Sequence, residues 1–244
     1  LAVLIHFYIF VMVLALFLAA LLDDRYFSFE KRSLPIAKII ALSLLLMLIF
    51  WQAGYLSGKS NYISFNDFGG HAMNVLALFN PMGWSYVLPN LPNSILLPLE
   101  GFMYLGGGII FLLPFALIKI HHKKNFIFGF TKNHPALITL LILFCCLAIT
   151  NIIHVGSYTF SFPLPSPILH LASITRSSGR MFWPAYYLLT LLILFLIIDG
   201  YSYKTVTTLL IIATSIQIVD LGAGYKNQYT THCCSRINQY PDLF

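Results

Sequence analysis

The sequence predicts an all-α transmembrane fold of about six helices, with short basic connections on one side and long extracytoplasmic loops on the other. Three observations carry this. The 244 residues are 59% hydrophobic and only 9% charged, with a mean hydropathy of +0.82, whereas a soluble domain carries roughly 25% charged residues. Uncharged apolar runs of about 20 residues recur along the chain, each long enough to cross a hydrocarbon core of roughly 30 Å as a helix. The basic residues, finally, collect in the shortest connections.

The first run, Leu1 to Leu22, has no charged side chain other than a possible His6 and stops at Asp23-Asp24-Arg25 and Glu30-Lys31-Arg32. It opens inside an apolar stretch with neither Met nor a basic leader, and the polar end Gln239-Tyr-Pro-Asp-Leu-Phe244 has no terminal signature, so further chain is expected on both sides. Pro35 suits a first helical turn, and the second span is expected over 36–55, with Lys38 near enough to its start to snorkel. Residues 56–99 are rich in Gly, Pro and aromatic residues and read as a long folded loop. Within it, 71–79 is expected as a short interfacial helix that Asn80-Pro81 ends.

A third span is expected over 100–120, with Gly106-Gly107-Gly108 permitting close helix contact and Pro114 kinking it. The fourth, fifth and sixth are expected over 135–153, 184–199 and 205–221, and 222–244 as the start of an extracytoplasmic tail or domain. Nine of the fourteen Lys and Arg (Arg25, Lys31, Arg32, Lys38, Lys119, Lys123, Lys124, Lys132 and Lys204) fall on one side of this arrangement, in short loops or at a helix end. The other five, Lys59, Arg176, Arg180, Lys226 and Arg236, are spread through much longer segments. Positive charge marks the cytoplasmic side, so the long loops face outward, and the net charge of +6 reports topology rather than nucleic-acid binding.

The outer loops hold the candidate chemistry. Thr175-Arg-Ser-Ser-Gly-Arg180 sets two guanidinium groups four residues apart, just before the aromatic helix entrance Met181-Phe-Trp-Pro-Ala-Tyr-Tyr187. Arg176 and Arg180 supply planar donor forks, and Ser178 with its neighbours adds hydroxyl and N–H donors, a set suited to a phosphate at the membrane surface. The plainer alternative is snorkelling to ordinary lipid heads beside an aromatic belt of Trp183, Tyr186 and Tyr187. Glu100, at the outer start of the third span, could orient the arginines or touch substrate, or it could simply favour a helix N-terminus.

Asp67, His71 and Asn74 could supply a general base, but such loop residues more often make turns, and they do not complete a metal set. No metal or cofactor is assigned. Cys145 and Cys146 read as packing residues inside a span, and Cys233-Cys234 as a structural disulfide or free thiols. No P-loop, GxSxG, HExxH or dinucleotide fingerprint has a supporting context.

Three ordered stretches, His71-Ala-Met-Asn-Val-Leu-Ala-Leu-Phe-Asn-Pro81, Glu100-Gly-Phe-Met-Tyr-Leu-Gly106 and Ser178-Gly-Arg-Met-Phe-Trp-Pro184, look like motifs of an uncharacterised family of large bacterial inner-membrane proteins. That family is similar to the GT-C glycosyltransferases, and the resemblance covers about residues 1 to 221. It implies a bacterial inner-membrane enzyme that moves a sugar from a polyprenyl-phosphate donor to an extracytoplasmic glycan or lipid acceptor. Arg176 and Arg180 would then meet the donor phosphate with Glu100 in support, and His71, Asn74, Tyr104, Ser178 and Trp183 join them as candidate substrate-binding residues. The acidic residue that GT-C enzymes place in their first outer loop has no match here and is expected upstream. The rival readings are a lipid or polysaccharide transporter, against which the few ionisable residues in the spans weigh, and a noncatalytic assembly subunit.

Overall fold

The computed structural model describes residues 7–27, 44, 47–48, 51–52, 68, 71–93, 101–173 and 178–239, with backbone alone at 7, 24–27, 170–171, 173 and 227–239. The expected second span therefore lies largely outside the described residues, as do Asp67, Glu100 and Arg176 and the side chains of Cys233 and Cys234. Seven α-helices are described: α1 (Phe7–Phe27), α2 (Gly107–Ile120), α3 (Lys124–Asn133), α4 (Pro135–Ile149), α5 (Ser166–Ser173), α6 (Trp183–Gly200) and α7 (Tyr203–Gln239). A two-stranded hairpin, β1 (Ile152–Val155) and β2 (Tyr158–Ser161), follows α4, and a 3-10 turn, Ser178–Phe182, leads into α6.

Two segments, Ser178–Gly200 and Tyr203–Lys226, are long and apolar enough to cross a membrane, and α3 with α4 would make a third if that bent pair is one span. α2 and the Tyr8–Asp23 part of α1 are shorter apolar helices. The surfaces of α6 and α7 that no other helix covers stay apolar: Leu191, Ile198, Ile211, Ile218 and Val219 are all exposed, which suits contact with lipid better than with water.

Local chemistry accounts for most helix boundaries. Pro135 and Pro184 sit in the first turns of α4 and α6, where the missing N–H is no loss. α2 starts at Gly107 rather than at Glu100 because Gly106 has φ +86, outside the helical region and strained for any residue with a Cβ. α4 stops at Ile149, short of the expected 153, because Thr150 takes φ 65 and turns the chain into the hairpin. Gly156, at φ 58, opens the two-residue turn between Val155 and Tyr158, the position that a type II′ turn reserves for glycine.

Two apolar clusters hold the helices together. One gathers Met12 of α1, Phe144 and Ala148 of α4, Met181 and Phe182, with Met73, Ala77 and Met103 from the connecting segments. The other gathers Leu112 and Ala116 of α2, Ile193, Leu196 and Ile197 of α6, and Leu209 and Ala213 of α7. Gly108 lets α2 approach α7 as expected, since a Cβ there would run into the backbone carbonyl of Ala213.

Two expectations are corrected. Residues 71–79 form consecutive turns, not a helix, because the Asn74 side chain accepts the Leu76 N–H at 3.0 Å and competes with the helical pattern. α7 does not end at Leu221 but continues as helix to Gln239. Beyond Leu221 it remains in contact with the segment 84–86: Cβ atoms at Gly222 and Gly224 would meet the rings of Tyr86 and Trp84, and Trp84 also meets Tyr225 edge-on, with centroids 6.4 Å apart.

Candidate functional site

The three sequence motifs come together through backbone contact. The Gly179 N–H donates to the His71 carbonyl at 2.9 Å, and a Cβ at Gly179 would lie 2.8 Å from both that oxygen and the Gly101 Cα. Gly101 in turn packs on the first motif, where a Cβ would stand 2.6 Å from the Ala72 carbonyl oxygen. Only glycine fits either position without moving backbone, so the three motifs meet because two of them contribute a residue with no side chain.

Around this junction the chain is tightly bonded. The Met73 N–H donates to the Ala148 carbonyl at 2.8 Å, the Val75 N–H to the His154 carbonyl at 2.8 Å, and the Leu105 N–H to the Leu78 carbonyl at 3.1 Å. The Asn74 amide donates to the Gly156 carbonyl (3.0 Å) and to Asn93 Oδ1 (3.1 Å), while its own Oδ1 accepts from Leu76 and Gly156. Asn80 does the same for the next turn, donating to the Leu91 carbonyl and accepting from the Met82 and Leu91 N–H groups. Burial pushes the His154 imidazole below its usual pKa, and its Nδ1 lies 3.3 Å from Thr159 Oγ1.

The sequence-predicted residues separate accordingly. Arg180 is partly exposed in the 3-10 turn, one step from Gly179, and Trp183 is half-buried at the entrance of α6. Ser178 is fully buried and its Oγ has no hydrogen-bond partner, so it does not offer a surface hydroxyl beside Arg180. Asn74 is buried and its amide is saturated by protein groups. Tyr104 is buried too, and its hydroxyl donates to Asp220 at 2.8 Å. The backbone of His71 lies at the junction, as described above.

Asp220 is the residue that sequence reasoning missed. It is fully buried on α7, where its Oδ2 accepts from Tyr104 and from the Gly107 N–H at 2.8 Å, and its Oδ1 from the Ser85 hydroxyl and the Val87 N–H at 3.4 Å. One helical turn earlier, Gln217 Oε1 accepts the Gly108 N–H at 2.8 Å. The first N–H groups of α2 have no partner in their own helix, so α7 supplies their cap from outside, and the carboxylate also meets the positive end of the helix dipole. The available signal was a lone Asp in the apolar run Ile216-Gln-Ile-Val-Asp-Leu221. Asp23 repeats the device at the opposite end of the helices: buried on α1, it accepts the Ala136 and Leu137 N–H groups of α4 at 2.8 and 3.2 Å.

Residues 1–222 match the family described as a domain of unknown function, DUF6311. The chain belongs to the DUF6311 family. No curated protein and no solved structure matches it. In this DUF6311 chain the match covers all three motifs, both trans-capping aspartates, α1 and the part of α7 up to Gly222.

Proposed function

We propose that this DUF6311 chain is the membrane-embedded part of a GT-C-like glycosyltransferase in the bacterial inner membrane. Its six spans present the long loops outward, and a polyprenyl-phosphate-linked sugar is bound there for transfer to an extracytoplasmic glycan or lipid. The observation that carries the reading is the junction of the three outer motifs, with a partly exposed arginine one residue from the glycine that locks them together. Backbone packed that closely at the residue before a cationic side chain suits a fixed recognition point better than a snorkelling arginine, which needs only length and flexibility.

Arg180 binds the donor phosphate through its guanidinium fork, and Trp183 at the helix entrance packs against the lipid portion of the donor. Asn74, Tyr104 and Ser178 support the junction from within rather than touching substrate. In the full-length protein, Arg180→Lys keeps the charge but loses the fork and is expected to weaken donor binding or turnover, and Arg180→Ala to weaken it further. A charge-assisted contact is worth about 1.5–3 kcal/mol, or about a 10- to 150-fold effect. Donor binding and glycan analysis at equal membrane levels decide it: two variants indistinguishable from wild type would leave only snorkelling.

A further inference from the structure

α3 meets α4 at 92°, across the single residue His134. A helix perpendicular to a membrane-crossing helix lies along the bilayer surface. On a helical wheel, Phe126, Ile127 and Phe130 share one arc, while Lys124, Lys132 and Asn125 lie on the other together with the exposed Phe128. None of the ten residues of α3 is buried by protein. Phe126 is half exposed, and its ring stacks on Phe195 of α6 at 4.9 Å, more than a turn before that helix ends. The apolar arc therefore faces the level of the spanning helices and not the water beyond them.

The connection is strongly basic. Lys123 pairs with Asp199, and Lys119 lies over the Tyr201 ring at 4.2 Å, but Lys124 and Lys132 have no ion-pair partner among the described residues. Together these observations describe an amphipathic helix with a partly uncovered apolar arc and free cations opposite, the composition that favours an anionic bilayer surface. We propose that α3 lies in the plane of the bilayer, on the face where α2 ends and α4 begins. Phe126, Ile127 and Phe130 enter the acyl boundary, and Lys124 and Lys132 bind the headgroups of anionic phospholipid. This rests on the membrane reading of the chain and not on the transferase reading.

The test uses the full-length protein in nanodiscs, with the four native cysteines replaced. Nitroxide labels are introduced one at a time through Phe126→Cys, Phe130→Cys, Asn125→Cys and Lys132→Cys. Labels at 126 and 130 are expected to collide with oxygen and to sit about 5–10 Å below the headgroups, and labels at 125 and 132 to collide with an aqueous nickel chelate. In a separate arm without nitroxide labels, Lys124→Gln with Lys132→Gln is expected to lower the preference for phosphatidylglycerol over phosphatidylcholine by about fivefold per lysine. Uniform access to the nickel chelate would overturn the proposal in favour of a solvated loop. Depth increasing steadily from 125 to 132 would overturn it in favour of one broken span, and an unchanged lipid preference in the double variant would remove the headgroup contact.

Discussion

Asp220→Ala is expected to destabilise the protein by about 4 kcal/mol, roughly a thousandfold in the folding equilibrium. The figure follows from the partners. The Tyr104 hydroxyl and the Gly107 N–H are both buried and both donate to Oδ2, so the substitution leaves two buried donors without an acceptor, at about 1–3 kcal/mol each. The backbone N–H of Val87 and the hydroxyl of Ser85 lie nearer the surface and can turn to water, adding little. Asp220→Asn should cost less, about 1–2 kcal/mol, because its amide oxygen can keep Tyr104 and Gly107 while the charge and the acceptor for Ser85 and Val87 are lost.

Unfolding by SDS titration in mixed micelles measures these differences, and a cycle with Tyr104→Phe isolates one bond. Coupling of about 1 kcal/mol or more between positions 104 and 220 is expected. If Asp220→Ala stays within about 0.5 kcal/mol of wild type, the range of an ordinary surface change, the trans-cap argument is wrong.

Two further outcomes follow from the outer loop. Gly179→Ala presses a methyl group against backbone on two sides, the His71 oxygen and the Gly101 Cα, so a loss of about 1–3 kcal/mol is expected, with reduced donor binding even where the variant folds. A variant as stable as wild type and binding donor normally would show that the motifs do not need this contact. The His154 imidazole is held below its ordinary value by burial, so the unfolded chain takes up its proton first as pH falls. The stability tied to neutral His154 is therefore complete above about pH 6.5 and declines as pH drops toward the lower folded value. Melting temperatures from pH 8 to 5 should show this decline in wild type and a shallower one in His154→Gln; parallel curves would count against it.

What could be read from the sequence was what neighbouring residues decide. Pro135, Pro184 and the glycines at 106–108 announced a helix start or a close approach, and each does so in the fold. The hairpin was legible as well, since Ile-Ile-His-Val-Gly-Ser-Tyr-Thr-Phe-Ser is two short β-prone runs around a Gly-Ser turn, but the apolar run of the fourth span obscured it. The capping of α2 was not legible, because Asp220 and Gly107 lie 113 residues apart and the bond appears only once α7 packs beside α2. Nor was the length of α7, since Gly222 and Gly224, which read as helix breakers, lie inside the helix and receive the rings of Tyr86 and Trp84.

The acids constrain any chemistry here more than the arginines do. The chain has eight, and three of those described are already committed: Asp23 and Asp220 cap helices, and Asp199 pairs with Lys123. A carboxylate whose oxygens already accept from helix N–H groups or hydroxyls has few lone pairs left over for a substrate. Of the other five, Asp24 and Glu30 belong to the short basic connection after the first apolar run, on the side opposite the arginine junction by the charge pattern. Asp67, Glu100 and Asp242 remain for the outer side. Two of these flank the junction in sequence: Glu100 directly precedes Gly101, and Asp67 lies four residues before His71. A transferase that drew its general base from this chain would therefore draw on Asp67 or Glu100 before any acid in the spans, whereas a noncatalytic assembly subunit would tolerate the loss of both.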